Sequence, residues 1–310
     1  MSCSQAGSGS WLLRLPDVSL KGSVKASATF VTMLQRRLGL YVSALTAALD
    51  ARSAAGRLDS QHERLGDLAA NAANATAKHN AGLACVYRAL VNGSEVGTSL
   101  QLGDRGDGTP QSKQDALARW DHVSPGYVPD VIERDPFGDA ARVLYEFKSY
   151  TPLHVSAASG TRGGPCTSDG ADVAFGNTLE KLRAVVLGHD ARDPSAARCH
   201  DRQTGEGSLK ARRGQYAGAL ALGHRVVLLA TESTGAFSSA LVRLLRRLAS
   251  NAARGDASDR TVYGAGRASP RDFTTHHAAA ISAAIVTADA AAITAAAHAH
   301  AARLDAGQGE

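Results

Sequence analysis

The sequence predicts a helix-rich α/β fold, and three observations lead to it. The run "RVVLLA" (225–230) is continuously apolar after its leading arginine, as in a buried strand, and helical stretches precede and follow it, an order that favours parallel pairing in an α/β layer. The segments "GYVPDVI" and "RVLYEFKSY" are short and rich in β-branched and aromatic residues. Pro136 and Gly138 in the intervening "RDPFGDA" signal a turn, so the pair reads as a hairpin. Aromatic residues are only 5% of the 310 positions while alanine is heavily used, so tight packing among helices with small side chains is expected.

Along the chain, apolar residues from Ser27 to Leu49 recur near helical spacing, and residues 58–91 form a second long helical stretch that Gly93 ends. Residues 92–112 are rich in Gly, Asp, Ser and Thr and read as a loop. The hairpin follows. Pro129 has no N–H to give a ladder, so it belongs at a strand beginning, with Asp130 where pairing starts. A glycine-rich segment (159–172) and a short "DVAF" (172–175) lead to "NTLEKLRAVVLG", in which Asn177 and Glu180 have the spacing of a capping box. After a further loop, "SLKARRGQYAGALALGH" reads as a helix feeding the buried strand. In "SSALVRLLRRLA", Leu241, Leu244, Leu245 and Leu248 form one apolar stripe. From Asp272 onward the chain is alanine-dominated and helix-prone, with Pro270 just ahead.

Several readings are bounded by composition. A net charge of +5 is compatible with a polyanionic partner and equally with an ordinary soluble protein. Cys3, Cys85, Cys166 and Cys199 are widely spaced, which points to reduced thiols and an intracellular setting, nucleus and cytoplasm not being distinguished. A zinc site from Cys166, Cys199 and His200 lacks a paired second half, and His276, His277, His298 and His300 read as ordinary helix residues. No charge-free apolar run of about 18 residues is seen, so no membrane association is expected. The sequence holds no GxxxxGK, GxGxxG, GxSxG or HExxH, the parts that nucleotide hydrolysis, serine hydrolysis and zinc proteolysis require. Glu232, just past the buried strand, reads as lining a site or capping the next helix, with Ser233 and Thr234 as likelier cap donors.

The hairpin carries the chemistry. Strand alternation sets Glu146 and Lys148 on one face, Tyr145 and Phe147 on the other, and brings Asp130 within reach of the first pair. Two converging carboxylates repel unless a cation lies between them, and hard oxygen donors suit Mg²⁺ or Mn²⁺. A lysine beside such a cation can contact a phosphate or hold an attacking water, as phosphodiester hydrolysis requires. An exposed same-face ion pair is the bland alternative for Glu146 and Lys148.

"PD" at Pro129 and Asp130, followed by "EFK" at Glu146, Phe147 and Lys148, resembles the bipartite signature of the PD-(D/E)XK nuclease superfamily. The resemblance spans roughly Gln114 to Ser250 together with the preceding helix. It implies a restriction-endonuclease-like mixed β-sheet core flanked by helices, of topology αβββαβ, with "DVAF" as the strand after the ExK strand. Catalytic roles fall on Asp130, Glu146 and Lys148, and metal ligation on Asp130, Glu146, the carbonyl of Phe147, and Glu63 from the upstream helix, with Asp59 and Asp67 as competitors. Lys210, Arg212, Arg213, Gln215 and Tyr216, on a helix before the buried strand, are the expected nucleic-acid contacts. The implied activity is Mg²⁺- or Mn²⁺-dependent cleavage, in DNA first and less often RNA. The organisation that follows is an N-terminal helical extension (1–56), a core (57–252) with a glycine-rich insertion near 155–172, and a linker with an alanine-rich C-terminal helix (253–310). A non-catalytic binding module of the same fold is the alternative. A third reading is an interaction protein assembling through the C-terminal helix, and a homodimer stays open.

Overall fold

The computed structural model describes residues 72–95, 97–103, 110–134, 142–150, 179, 182–188, 214–232, 235–254 and 270–305. Its elements in chain order are helix α1 (Ala72–Gly93), strand β1 (Ser99–Leu102), helix α2 (Pro110–Trp120), strands β2 (Val131–Arg134) and β3 (Arg142–Tyr150), the short helix α3 (Ala217–Ala221), strand β4 (Arg225–Glu232) and helices α4 (Ser239–Ala253) and α5 (Pro270–Asp305). Residues 182–187 are also helical. The four strands form one mixed sheet in the order β1-β2-β3-β4. β1 and β2, and β2 and β3, pair antiparallel, and β3 and β4 pair parallel. Over the described residues the chain is therefore an α/β protein with a four-stranded mixed sheet flanked by helices.

The hairpin of the sequence is β2 and β3, paired from Val131↔Tyr145 to Arg134↔Arg142. It is not the start of the sheet. The stretch expected to be a loop contains β1, which lies antiparallel to β2 before the hairpin, and the beginning of α2. β1 escapes notice because "SLQL" is only four residues long and edge-placed, with exposed Ser99 and Gln101 alternating with half-buried leucines. "DVAF", expected as the third strand, lies outside the described residues, as do the glycine-rich insertion and the proposed capping box.

Strand alternation divides the core into two layers. On one side of the sheet Val131, Tyr145, Phe147 and Leu229 pack with Val86 and Leu90 of α1, the leucine stripe of α4, and Phe273, Ile281 and Ile285 of α5. On the other, Ile132, Leu144, Leu228 and Ala230 pack with Trp120, Val123, Leu179, Val186 and Tyr216. All four stripe leucines are buried. The alanine-rich α5 thus belongs to the core by packing, because small side chains let it lie close to α1 and α4. Its stretch Phe273–Ala295 has the length and mean hydropathy (1.7) of a bilayer-crossing helix. Half of that stretch is nevertheless buried in the fold, and its Asp289 pairs with Lys78 of α1 at 3.2 Å. His277 is a buried core histidine tilted against Phe273, and its Nε2 lies 3.4 Å from Asn92 Nδ2.

Arg243, Arg246 and Arg247 of α4 are all exposed, and Arg247 in addition reaches the sheet. Its guanidinium donates to Glu133 Oε2 at 3.0 Å and to the Tyr145 hydroxyl at 2.7 Å, and that hydroxyl itself donates to Glu133. Glu133 is buried on the α4 side of the sheet, so this network satisfies a carboxylate that would otherwise be costly there.

α4 begins after Ser238, whose Oγ accepts from Leu241 N at 3.4 Å and from Ala230 N at 3.1 Å. Ser238 is thus the N-cap, where Ser233 or Thr234 was expected, and Glu232 is the last residue of β4. One hydroxyl holds both a helix start and a strand N–H. Ser238→Ala is expected to lower the unfolding free energy by about 2 kcal/mol, the upper range for cap loss, read by urea denaturation.

Candidate functional site

The site is assembled where β2 begins beside the middle of β3. Asp130 N donates to the Tyr145 carbonyl at 3.1 Å, and the Asp130 carbonyl accepts from Gly103 N at 3.1 Å. Asp130 is thereby pinned between β1 and β3 just ahead of its own strand. Gly103 passes so close to the Pro129 carbonyl that a Cβ there would overlap it, and the Trp120 indole donates to the Gly103 carbonyl at 2.7 Å. The Asp130 carboxylate then accepts from Phe147 N at 2.6 Å through Oδ2. Its other oxygen, Oδ1, lies 3.1 Å from His79 Nε2.

Glu146 and Lys148 do share a face, as alternation requires, and form an ion pair. Glu146 is only 1% exposed. Its Oε2 accepts from the Tyr216 hydroxyl at 2.6 Å and its Oε1 from the Tyr127 hydroxyl at 3.3 Å. The two tyrosine rings meet edge to face at 4.9 Å, so each fixes the other. Burial first, and then repulsion from Asp130, pushes the Glu146 pKa above the ordinary glutamate value, against the pull of Lys148 and the Tyr216 hydroxyl. For Lys148 burial favours the neutral amine, but the Glu146 carboxylate overrides it and holds the pKa above the ordinary lysine value. Burial and Glu146 also raise the pKa of both tyrosines, so their hydroxyls stay protonated as donors at neutral pH.

Of the residues expected from the sequence, the fold brings Asp130, Glu146, Phe147 and Lys148 together. Tyr216 joins them in a different role: it is fully buried beneath Glu146 and not at a surface a nucleic-acid strand could touch. Gln215 and Tyr216 sit in a turn before the short α3, where a longer helix was expected, and their N–H groups bond the Val185 and Val186 carbonyls. The Gln215 Oε1 is buried without a hydrogen-bond partner among the described residues. Glu63, Asp59, Asp67, Lys210, Arg212 and Arg213 lie outside the described residues, as do Cys166, Cys199 and His200.

Two residues at the site were missed. Tyr127 stood inside the "GYVPD" run, but nothing about its spacing assigns it to Glu146. His79 is one helix residue among many in "AKHNAG", and what brings it to Asp130 is packing at Gly82, one turn on. A Cβ on Gly82 would lie 2.6 Å from both Ile285 Cδ1 and Phe147 Cζ. Only a glycine lets α1 approach this closely, and the His79 ring then lies 5.6 Å from that of Phe147.

Among the described residues no three His, Cys, Asp or Glu side chains cluster as a ready metal cage. Two carboxylates, of which Glu146 alone is paired with Lys148, nonetheless offer hard oxygen donors that fit a divalent cation of the Mg²⁺ or Mn²⁺ type. No family model, curated protein or solved structure matches this chain.

Proposed function

We propose that this chain is a metal-dependent nuclease of restriction-endonuclease-like fold that hydrolyses phosphodiester bonds, in DNA first. The observation that carries the reading is the buried Glu146 carboxylate, set between Lys148 and the repelling charge of Asp130 on neighbouring strands. An exposed same-face pair would have neither the burial nor the second acid. The sheet order, with antiparallel β1, β2 and β3 and parallel β4, supports this reading with β1 in place of "DVAF" as the third antiparallel strand, while the element order departs from αβββαβ in carrying α2 between β1 and β2.

In this reading Asp130 and Glu146, with the Phe147 carbonyl, would hold Mg²⁺ or Mn²⁺. The bound ion supplies a water of lowered pKa and charge stabilisation at the phosphate. The protein's part is positional. Phe147 N and His79 fix the Asp130 carboxylate, Tyr127 and Tyr216 fix Glu146, and Lys148, charged at neutral pH, holds the water or a non-bridging phosphate oxygen in line. Intracellular DNA is the partner that suits this chemistry.

The test is incubation of end-labelled single- and double-stranded DNA and RNA with purified protein in Mg²⁺, in Mn²⁺ and in EDTA. Cutting in metal that EDTA stops is expected. Folded protein that binds these substrates and cuts none would instead be the non-catalytic binding module.

Tyr216→Phe tests the support of Glu146. Losing a charge-assisted hydrogen bond is expected to lower cleavage at neutral pH about tenfold. It also removes a force favouring the carboxylate form, so the acid limb of the pH–rate profile should move to higher pH.

A further inference from the structure

The sheet end opposite the site carries a second concentration of charge. β2 ends in Arg134 and β3 begins with Arg142, and the two are direct cross-strand partners. Like charges placed directly opposite destabilise a sheet unless something neutralises them. Among the described residues neither guanidinium has an acidic partner. Glu133, the nearest acid on β2, is on the other face and committed to Tyr145 and Arg247. Asp121 accepts from Gly126 N at 3.3 Å.

Two histidines complete the cluster. Arg142 N donates to His224 Nδ1 at 3.3 Å, which makes Nδ1 the acceptor and leaves the Nε2–H as the donor of the neutral ring. The His122 ring is stacked on Trp120, with centroids 6.3 Å apart. Burial first, and then the charges of Arg142 and His122, lower the pKa of His224, and burial, then Arg134, lowers that of Arg142. Arg134 and His122 are exposed, and Arg142 and His224 are half-buried.

We infer that Arg134, Arg142, His122 and His224 form a second nucleic-acid subsite, which grips backbone phosphates away from the point of cleavage. By strand alternation Arg134 and Arg142 lie on the same face of the sheet as Glu146 and Lys148. Arg142 and Lys148 are six residues apart on β3. That separation is about 20 Å, or about six phosphates along one strand of a duplex. The packed layer of Trp120, Val123 and Tyr216 covers this face between them, so a nucleic acid that engages both passes around the edge of that layer. The subsite presents two guanidinium forks and imidazole donors, and phosphate contacts of this type position a strand without reading its sequence.

The inference rests on the nucleic-acid reading above but not on catalysis, so it is tested by binding without metal. Fluorescence anisotropy of labelled single- and double-stranded DNA of about 20 nucleotides would be followed in EDTA across a salt series, for wild type, Arg134→Gln and Arg134→Gln/Arg142→Gln. The double variant is expected to bind about tenfold more weakly, and the slope of log affinity against log salt should become shallower by about 1.8 on the duplex and about 1.4 on the single strand, or about 0.9 and 0.7 per lost contact. Arg134→Gln, at an exposed position, should show about half the slope change and melt as wild type does. Wild-type affinity and slope in both variants would overturn the subsite. Parallel cleavage assays in Mn²⁺ keep the two readings apart. Altered slopes without any cutting would uphold the subsite and sink the nuclease, and cutting with unaltered slopes would do the reverse.

Discussion

Lys148→Ala is expected to lower metal-dependent cleavage by about 10²–10⁴-fold, the range for loss of one well-placed proton-transfer or charge-stabilising group. The physical reason is that Lys148 is the cation of the site with a defined partner, the buried Glu146. Its pKa is held above the ordinary lysine value, so it acts as a fixed charge near neutral pH and not as a proton acceptor. The pH–rate profile of the wild type should therefore fall on the acid side, where Glu146 takes up a proton, and show no limb from Lys148 near neutrality. Because burial raises the Glu146 pKa, that acid limb should lie above the ordinary glutamate range. Lys148→Arg should not restore the rate, since a planar fork cannot replace a compact ammonium beside two carboxylates. A rate within twofold of wild type for Lys148→Ala, on protein with the same fold, would remove the lysine from the mechanism.

Stability gives the same variant a second signature. In Lys148→Ala the Glu146 carboxylate loses its cation and keeps only the two tyrosine hydroxyls, so its pKa should rise further. A carboxyl whose folded pKa lies above its unfolded value stabilises the fold at low pH, and that contribution is lost as pH rises through the folded pKa. The variant should therefore be destabilised more at pH 8 than at pH 5, measured as the difference in denaturation midpoint from wild type.

The site was legible where local rules decide geometry, and illegible where packing does. Strand alternation was enough to place Glu146 with Lys148, and the turn formers Pro136 and Gly138 were enough to predict the hairpin. The stripe of Leu241, Leu244, Leu245 and Leu248 told which side of α4 faces the core, because helical periodicity survives in the sequence. β1 was hidden by its length and by its edge position, where exposed residues weaken the pattern. His79 could not be found from the sequence, since its approach to Asp130 depends on a contact between Gly82, Phe147 and Ile285, residues far apart in the chain. Tyr216 was picked out for the wrong role. Its position near the site follows from the turn before α3, but only the fold shows that its hydroxyl points at Glu146 and not at solvent. α5 read as an appendage because an alanine-rich helix has little amphipathic contrast, yet its few large residues, Phe273, Ile281 and Ile285, are those that enter the core.

Metal should stabilise the folded protein, and by an amount that grows with pH. A ligand that binds only the native state adds about 2.7 kcal/mol at one hundred times its dissociation constant. For a protein of this size that corresponds to a rise of about 4 °C in Tm. Protons and the cation compete for the same Glu146 oxygens. Below the raised pKa of Glu146 the carboxyl is neutral and the shift should be small, and above it the shift should reach its full value. Without metal the trend runs the other way, because ionising Glu146 next to Asp130 costs stability as pH rises. Melting curves from pH 5 to 8 with EDTA and with Mn²⁺ should therefore diverge. Asp130→Asn and Glu146→Gln should each remove most of the divergence, the first while keeping an oxygen acceptor for Phe147 N. Lys148→Ala, which removes no carboxylate, should keep it. Parallel curves in the wild type would mean that the two acids do not hold a divalent ion, and the catalytic reading would then have lost its nucleophile-generating part whatever the cleavage assay showed with contaminating nucleases.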